Sequence, residues 1–66
     1  MRSSEAHVQP VSQFIRETDS AILIETPSGE EIWLPFSQVE KIERDAQGGG
    51  GTITMTRWIA EKKGLV

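Results

Sequence analysis

The chain contains no cysteine and no tyrosine, and its single histidine is His7. Without cysteine there is no disulfide, no thiolate nucleophile and no thiolate metal ligand. One histidine and no cysteine also exclude the usual structural zinc sets. No apolar run approaches the roughly 20 residues of a membrane span. The first ten residues, "MRSSEAHVQP", lack the apolar segment of a signal peptide. These absences set the expectation of a cytoplasmic protein. Basic residues are scarce too: seven Lys and Arg face ten Asp and Glu, for a formal net charge of −3. Nucleic-acid modules usually carry an excess of basic side chains, so nonspecific binding to a phosphate backbone is disfavoured.

Size is the last shortage. A chain of 66 residues buries only about 60% of its unfolded surface. Such a core rarely supplies more than about 3–5 kcal/mol. With no staple available, assembly into a homo-oligomer is the expected source of further buried area.

What is present is concentrated in "AILIETPSGEEIWLPFSQV", residues 21–39. "TPSG" places Pro27 where φ is preset and Gly29 where a left-handed conformation is required. That predicts a three-residue hairpin loop with a bulge at Gly29. Thr26 then lies opposite Glu30, Ile24 opposite Ile32, Leu23 opposite Trp33 and Ile22 opposite Leu34. Ile22, Ile24, Ile32 and Leu34 share one face, as a core requires. Ala21, Leu23, Trp33 and Pro35 make a second apolar face at the end away from the turn. Glu25 and Glu31 flank the turn on that second face.

The flanks are read in the same way. Residues 1–10 are polar and aperiodic, and are expected to form a flexible leader. Residues 11–66 form a single small β domain. "VSQFIRET" (residues 11–18) reads as one strand and "TDS" as a turn. "SQVE" matches a capping box, with Ser37 as cap and Glu40 three residues on. "EKIERD" reads as a charged edge strand. "AQGGGG" is a mobile loop, and "TITMT" alternates cleanly. "RWIAEKKGL" reads as a short helix with Thr56 as N-cap, Gly64 as the left-handed C′ residue and Leu65 folding back. The expected fold is mainly β: a small five-stranded antiparallel barrel or bent sheet with one short C-terminal helix.

The motifs "WLPFSQ" and "WIAEKKGL" resemble those of a group of small uncharacterised bacteriophage and prophage proteins. These share W-[IL]-P-x-S-Q and a terminal W-[IL]-A-x-x-K-G-L. The similarity spans roughly residues 14–65. It implies a viral origin, a bacterial host cytosol and a small β fold, and it carries no catalytic residue. At Phe36 the group often has lysine, and this chain has an aromatic side chain instead.

No catalytic set can be assembled around His7, and no metal or cofactor is expected. The run Gly48–Gly51 lacks the Lys-Ser/Thr of a phosphate loop and precedes a strand, so it reads as a hairpin connection. The sharper signal is the pair Trp33 and Trp58. Trp58 is expected to pack over Leu23 and Trp33. Alternatively, an open indole stacks on a nucleobase while Arg57, Lys62 and Lys63 meet phosphates and Ser37 and Gln38 hydrogen-bond base or ribose. Leu23, Trp33, Pro35 and Phe36 are the candidate oligomer interface. Three functions follow from these features. The first is a non-enzymatic counter-defence protein that sequesters a small nucleotide-type immune signal in pockets of a homo-oligomer. The second is an inhibitor that binds a host defence protein through acidic residues (Glu25, Glu30, Glu31, Glu40, Glu43, Asp45) or apolar surface. The third is a small-barrel nucleic-acid binder.

Overall fold

Turn chemistry sets the central hairpin. In the computed structural model, which describes residues 5–45 and 47–66, strands β3 (Ala21–Glu25) and β4 (Glu31–Pro35) pair antiparallel. The register is the expected one, with Ile22 opposite Leu34, Leu23 opposite Trp33 and Ile24 opposite Ile32. Gly29 N–H donates to Thr26 C=O (2.9 Å), and Thr26 N–H donates to Glu30 C=O (2.8 Å). Gly29 has φ 94°, which closes the loop at no Cβ cost. The Thr26 hydroxyl also accepts from Glu30 N–H, so the loop's polar groups are satisfied locally.

The expected single strand over residues 11–18 is two strands. β1 (Ala6–Val11) and β2 (Gln13–Glu17) meet at Ser12. There the chain passes from one sheet to the other. One sheet has the order β1-β6-β5 and the other β2-β3-β4, where β5 is Val39–Arg44 and β6 is Gly51–Thr56. Among the described residues the fold therefore has six strands, in two three-stranded antiparallel sheets that do not close into a barrel. β1 is the strand missing from the five-stranded expectation. Residues 6–10 of the expected leader lie in it, and residues 1–4 fall outside the described residues. The register puts His7, Gln9 and Val11 on the side of Met55, Ile53 and Gly51, facing the core. Two of those three inward residues are polar, and they serve each other: His7 Nε2 lies 3.0 Å from Gln9 Oε1. Their bond removes the cost of leaving buried polar atoms unpaired.

The core unites Val11, Ile22, Ile24, Ile32, Leu34, Ile53, Met55, Ile59 and Ala60, drawn from both sheets and the helix. Ile59 and Ala60 belong to α1 (Arg57–Lys62). Thr56 caps it as expected, its hydroxyl accepting from Ile59 N–H at 3.3 Å. At the other end Gly64 N–H donates to Glu61 C=O and Leu65 N–H to Ala60 C=O. That pair of bonds satisfies the last carbonyls of the helix and turns Leu65 back onto the core.

Two local expectations change. A short 3-10 turn spans Phe36–Gln38, and its N-cap is Pro35, with no side-chain cap bond. Ser37 sits inside the turn, exposed, and is not the cap. The reason is that Phe36 N–H is already bonded to Ser20 C=O (2.9 Å), which extends the β3–β4 ladder into the turn. The glycine loop is also fitted to its place. A Cβ at Gly51 would collide with the Glu43 carbonyl, and one at Gly50 would lie 2.6 Å from the Val11 carbonyl. Phe14 N–H donates to Gly49 C=O at 3.0 Å. The loop thus seals the corner where β1 becomes β2.

Candidate functional site

The outer face of the β2-β3-β4 sheet follows from the register. Leu23 lies between Arg16 on β2 and Trp33 on β4, and Ala21 is opposite Pro35. Trp33 is 41% exposed there, although its neighbours Leu23 and Pro35 are half-buried. Glu25 lies opposite Glu31 toward the turn, so the apolar patch has one acidic end. Leu23, Trp33 and Pro35 are therefore contiguous. Phe36 is not part of that face, because it turns in to pack against the core.

The expected cover of Trp33 by Trp58 is not made. α1 turns Ile59 and Ala60 inward and packs chiefly on β6 and β1. Trp58, next to Ile59 on the helix, faces outward and stays 56% exposed. Lys62 Nζ sits 5.0 Å from its ring centroid, one helical turn on. That contact is a cation–π pair at an exposed site, worth about 0.5–1 kcal/mol.

The remaining candidate ligand residues divide into two groups. Gln38 Oε1 accepts from Thr56 Oγ1 at 2.7 Å, which ties the 3-10 turn to the start of α1. This brings Ser37 and Gln38 toward Arg57 and Trp58. Arg57 already has partners, however: Glu61 at 2.9 Å and Glu5 at 3.3 Å. Both pairs are more than half exposed, so each holds Arg57 only weakly against a competing anion. Lys63 is the C-cap residue, and its backbone N–H closes the helix.

Among the described residues, shallow hollows lie elsewhere on the surface. One of about 140 Å³ is lined by Glu5, Ala6, His7, Arg57 and Val66. The other, about 150 Å³, is lined by Phe14, Ile15, Arg16, Glu17, Ile22 and Arg44. The second was not legible in the sequence. Arg44 reaches Phe14 and Glu17 across the gap between the sheets, and nothing local pairs residues so far apart. Among the described residues no group of three or more His, Asp or Glu is placed to hold a metal ion. No helix of the described residues is long and apolar enough to cross a membrane.

No protein-family model, curated protein or solved structure matches the chain. The functional reading therefore rests on the geometry of these surfaces.

Proposed function

We propose that this protein is a non-enzymatic binding protein that works as a homo-oligomer and sequesters a small nucleotide-type ligand. The observation that carries the reading is the exposure of Trp33 and Trp58 in a chain whose core closes without either. Trp33 stands in a contiguous apolar patch with Leu23 and Pro35, the kind of surface that marks an interaction site, and tryptophan is enriched where binding energy concentrates. Stacking of a base on an indole contributes about 1–3 kcal/mol. Arg57, Lys62 and Lys63 supply positive charge beside Trp58, and Ser37 and Gln38 supply hydrogen-bonding groups at the adjoining turn. The Leu23–Trp33–Pro35 patch is the surface through which subunits join. The resemblance to phage proteins makes counter-defence, by withholding a host signal, the setting we assign.

The test pairs solution mass with ligand binding. Sedimentation should give a mass above the monomer, falling to the monomer in Trp33→Ala. A calorimetric panel of cyclic dinucleotides and ADP-ribose derivatives should yield a binder that quenches indole fluorescence and is lost in Trp58→Ala. A monomer with no binder at saturating concentration across the panel rules the reading out. The second reading, a protein-binding inhibitor, draws on the juxtaposed Glu25 and Glu31 at the acidic end of the patch. It is selected if a purified host protein binds the wild type and releases Glu31→Lys. Steeply salt-dependent binding to oligonucleotides would instead select the nucleic-acid reading.

A further inference from the structure

The free edges of the two sheets are not alike. β1, β2, β4 and β5 are the edge strands. An open edge is a template for pairing with another strand unless something blocks it. β1 carries Pro10, which has no N–H, and the Gln9 side chain occupies the Pro10 carbonyl at 3.0 Å. β2 shifts register between Phe14 and Arg16, and its Phe14 N–H is taken by the Gly49 carbonyl. β5 shifts register between Val39 and Lys41 and carries Glu40, Lys41, Glu43 and Arg44. β4 lacks such a device at its centre. Its register with β3 runs unbroken from Glu31 to Pro35.

Hydrogen bonds at both ends of the β3–β4 ladder fix which backbone groups face that edge. Thr26 N–H donates to Glu30 C=O, and Phe36 N–H donates to Ser20 C=O. Bonded and non-bonded pairs alternate along an antiparallel ladder. Between those ends, Ile24–Ile32 and Ile22–Leu34 are therefore the bonded pairs. Glu31 and Trp33 then turn their N–H and C=O groups away from β3, and Pro35 turns its C=O the same way. Pro35 sits where its missing N–H costs the ladder nothing. Among the described residues no backbone group bonds these edge atoms.

We infer that this edge is the seam of a homodimer, in which β4 of one copy pairs antiparallel with β4 of a second across a two-fold axis at Trp33. The inference rests on the reading that subunits join at the Leu23–Trp33–Pro35 patch, and it names the contact. With the other edges blocked, the complement of β4 on another copy is β4 itself, which makes the contact isologous and closed. Centred on Trp33, each Trp33 N–H donates to the other copy's Trp33 C=O, and each Glu31 N–H donates to the other copy's Pro35 C=O. Both edge donors are then used. Charge and donor count select this register. Facing Glu31 with itself would oppose two carboxylates, with Glu25 beside each. An axis at Ile32 would set each indole against the other copy's Glu31, and one at Leu34 would set each Trp33 opposite a proline that cannot donate. The Trp33 axis sends the acids to opposite ends and sets two indoles side by side in the apolar patch. The two three-stranded β2-β3-β4 sheets become one continuous sheet.

The test reads the backbone directly. Sedimentation of the full chain should give a dimer. Amide exchange followed by NMR, above and below the dissociation concentration, should be slowed at Glu31 and Trp33 by at least about tenfold in the dimer. In a mixture of isotope-labelled and unlabelled chains, Ile32 Hα of one copy should show a close contact with Leu34 Hα of the other, because the Trp33 axis sets those two residues in a non-bonded pair. Glu31→Pro removes an edge donor from each copy and should weaken the dimer at least about tenfold. Glu31→Ala keeps that donor and should stay within about threefold of wild type. If Glu31→Pro fails to fold, the exchange and the Hα contact of the wild type decide the case. An oligomer whose Glu31 and Trp33 amides exchange as they do in the monomer overturns the β4 seam and leaves the homo-oligomer reading standing. Folded Glu31→Pro and Glu31→Ala variants of equal dimer affinity do the same. A chain that stays monomeric at millimolar concentration overturns both, and leaves the edge to a different chain.

Discussion

Leu34→Ala is the most direct test of the two-faced hairpin. Leu34 is 0% exposed and lies opposite Ile22 in the cluster shared by both sheets and α1. Removing a fully buried leucine side chain costs its transfer free energy plus the cavity left behind, about 3–5 kcal/mol. A domain of 66 residues has about 3–10 kcal/mol in total. The substitution therefore takes away from about a third to all of the stability. The neighbouring residue, Trp33, points to the other face and keeps 41% of its surface in water. Despite its greater size, Trp33→Ala should cost only about 1 kcal/mol in the monomer. Urea unfolding followed by far-UV circular dichroism measures both. The Leu34→Ala midpoint should fall steeply with an unchanged m-value, or the variant should be unfolded without denaturant. Running each variant at two protein concentrations separates subunit association from folding, because only association makes the midpoint concentration-dependent. If Trp33→Ala costs as much as Leu34→Ala at the lower concentration, the assignment of inner and outer faces is refuted.

Two further substitutions probe the joints of the fold. Gly51→Ala forces a Cβ into the Glu43 carbonyl and should cost at least about 2 kcal/mol, whereas Gly48→Ala, with open space around it, should cost only about 1 kcal/mol for its positive φ; thermal unfolding ranks them, and equal losses would remove the close approach as the reason for glycine. Thr56→Val deletes the helix cap and the hydroxyl that donates to Gln38, and should cost about 1–2 kcal/mol by the same measurement. Thr56→Ser restores the hydroxyl and should recover most of that loss.

The candidate site was legible in the sequence where local chemistry decides. The turn at Thr26–Glu30 dictated the register, and the register separated Trp33 and Leu23 from the isoleucines. What failed at the site were statements about elements far apart in sequence. No local signal says that α1 will insert Ile59 and Ala60 and leave Trp58 outside. The cleft around Arg44 has the same character, since its lining comes from β2, β3 and β5.

By itself the sequence determined the hairpin, its inward isoleucines, the threonine cap, the glycine stop and the charged character of β5. Each is a short-range matter of φ preference, hydrogen bonding within a few residues, or side-chain alternation. Only the tertiary structure decided that residues 6–11 form a strand. Its inward positions carry His7 and Gln9, a pattern with no apolar alternation to read, and it exists because β6 offers backbone partners along its whole length. The structure also decided that the chain breaks at Ser12 into two sheets, and that Gly50 and Gly51 are needed for close approach to that corner and to β5. Those outcomes depend on which distant backbone comes near, and packing of the shared core is the physical event that brings it there.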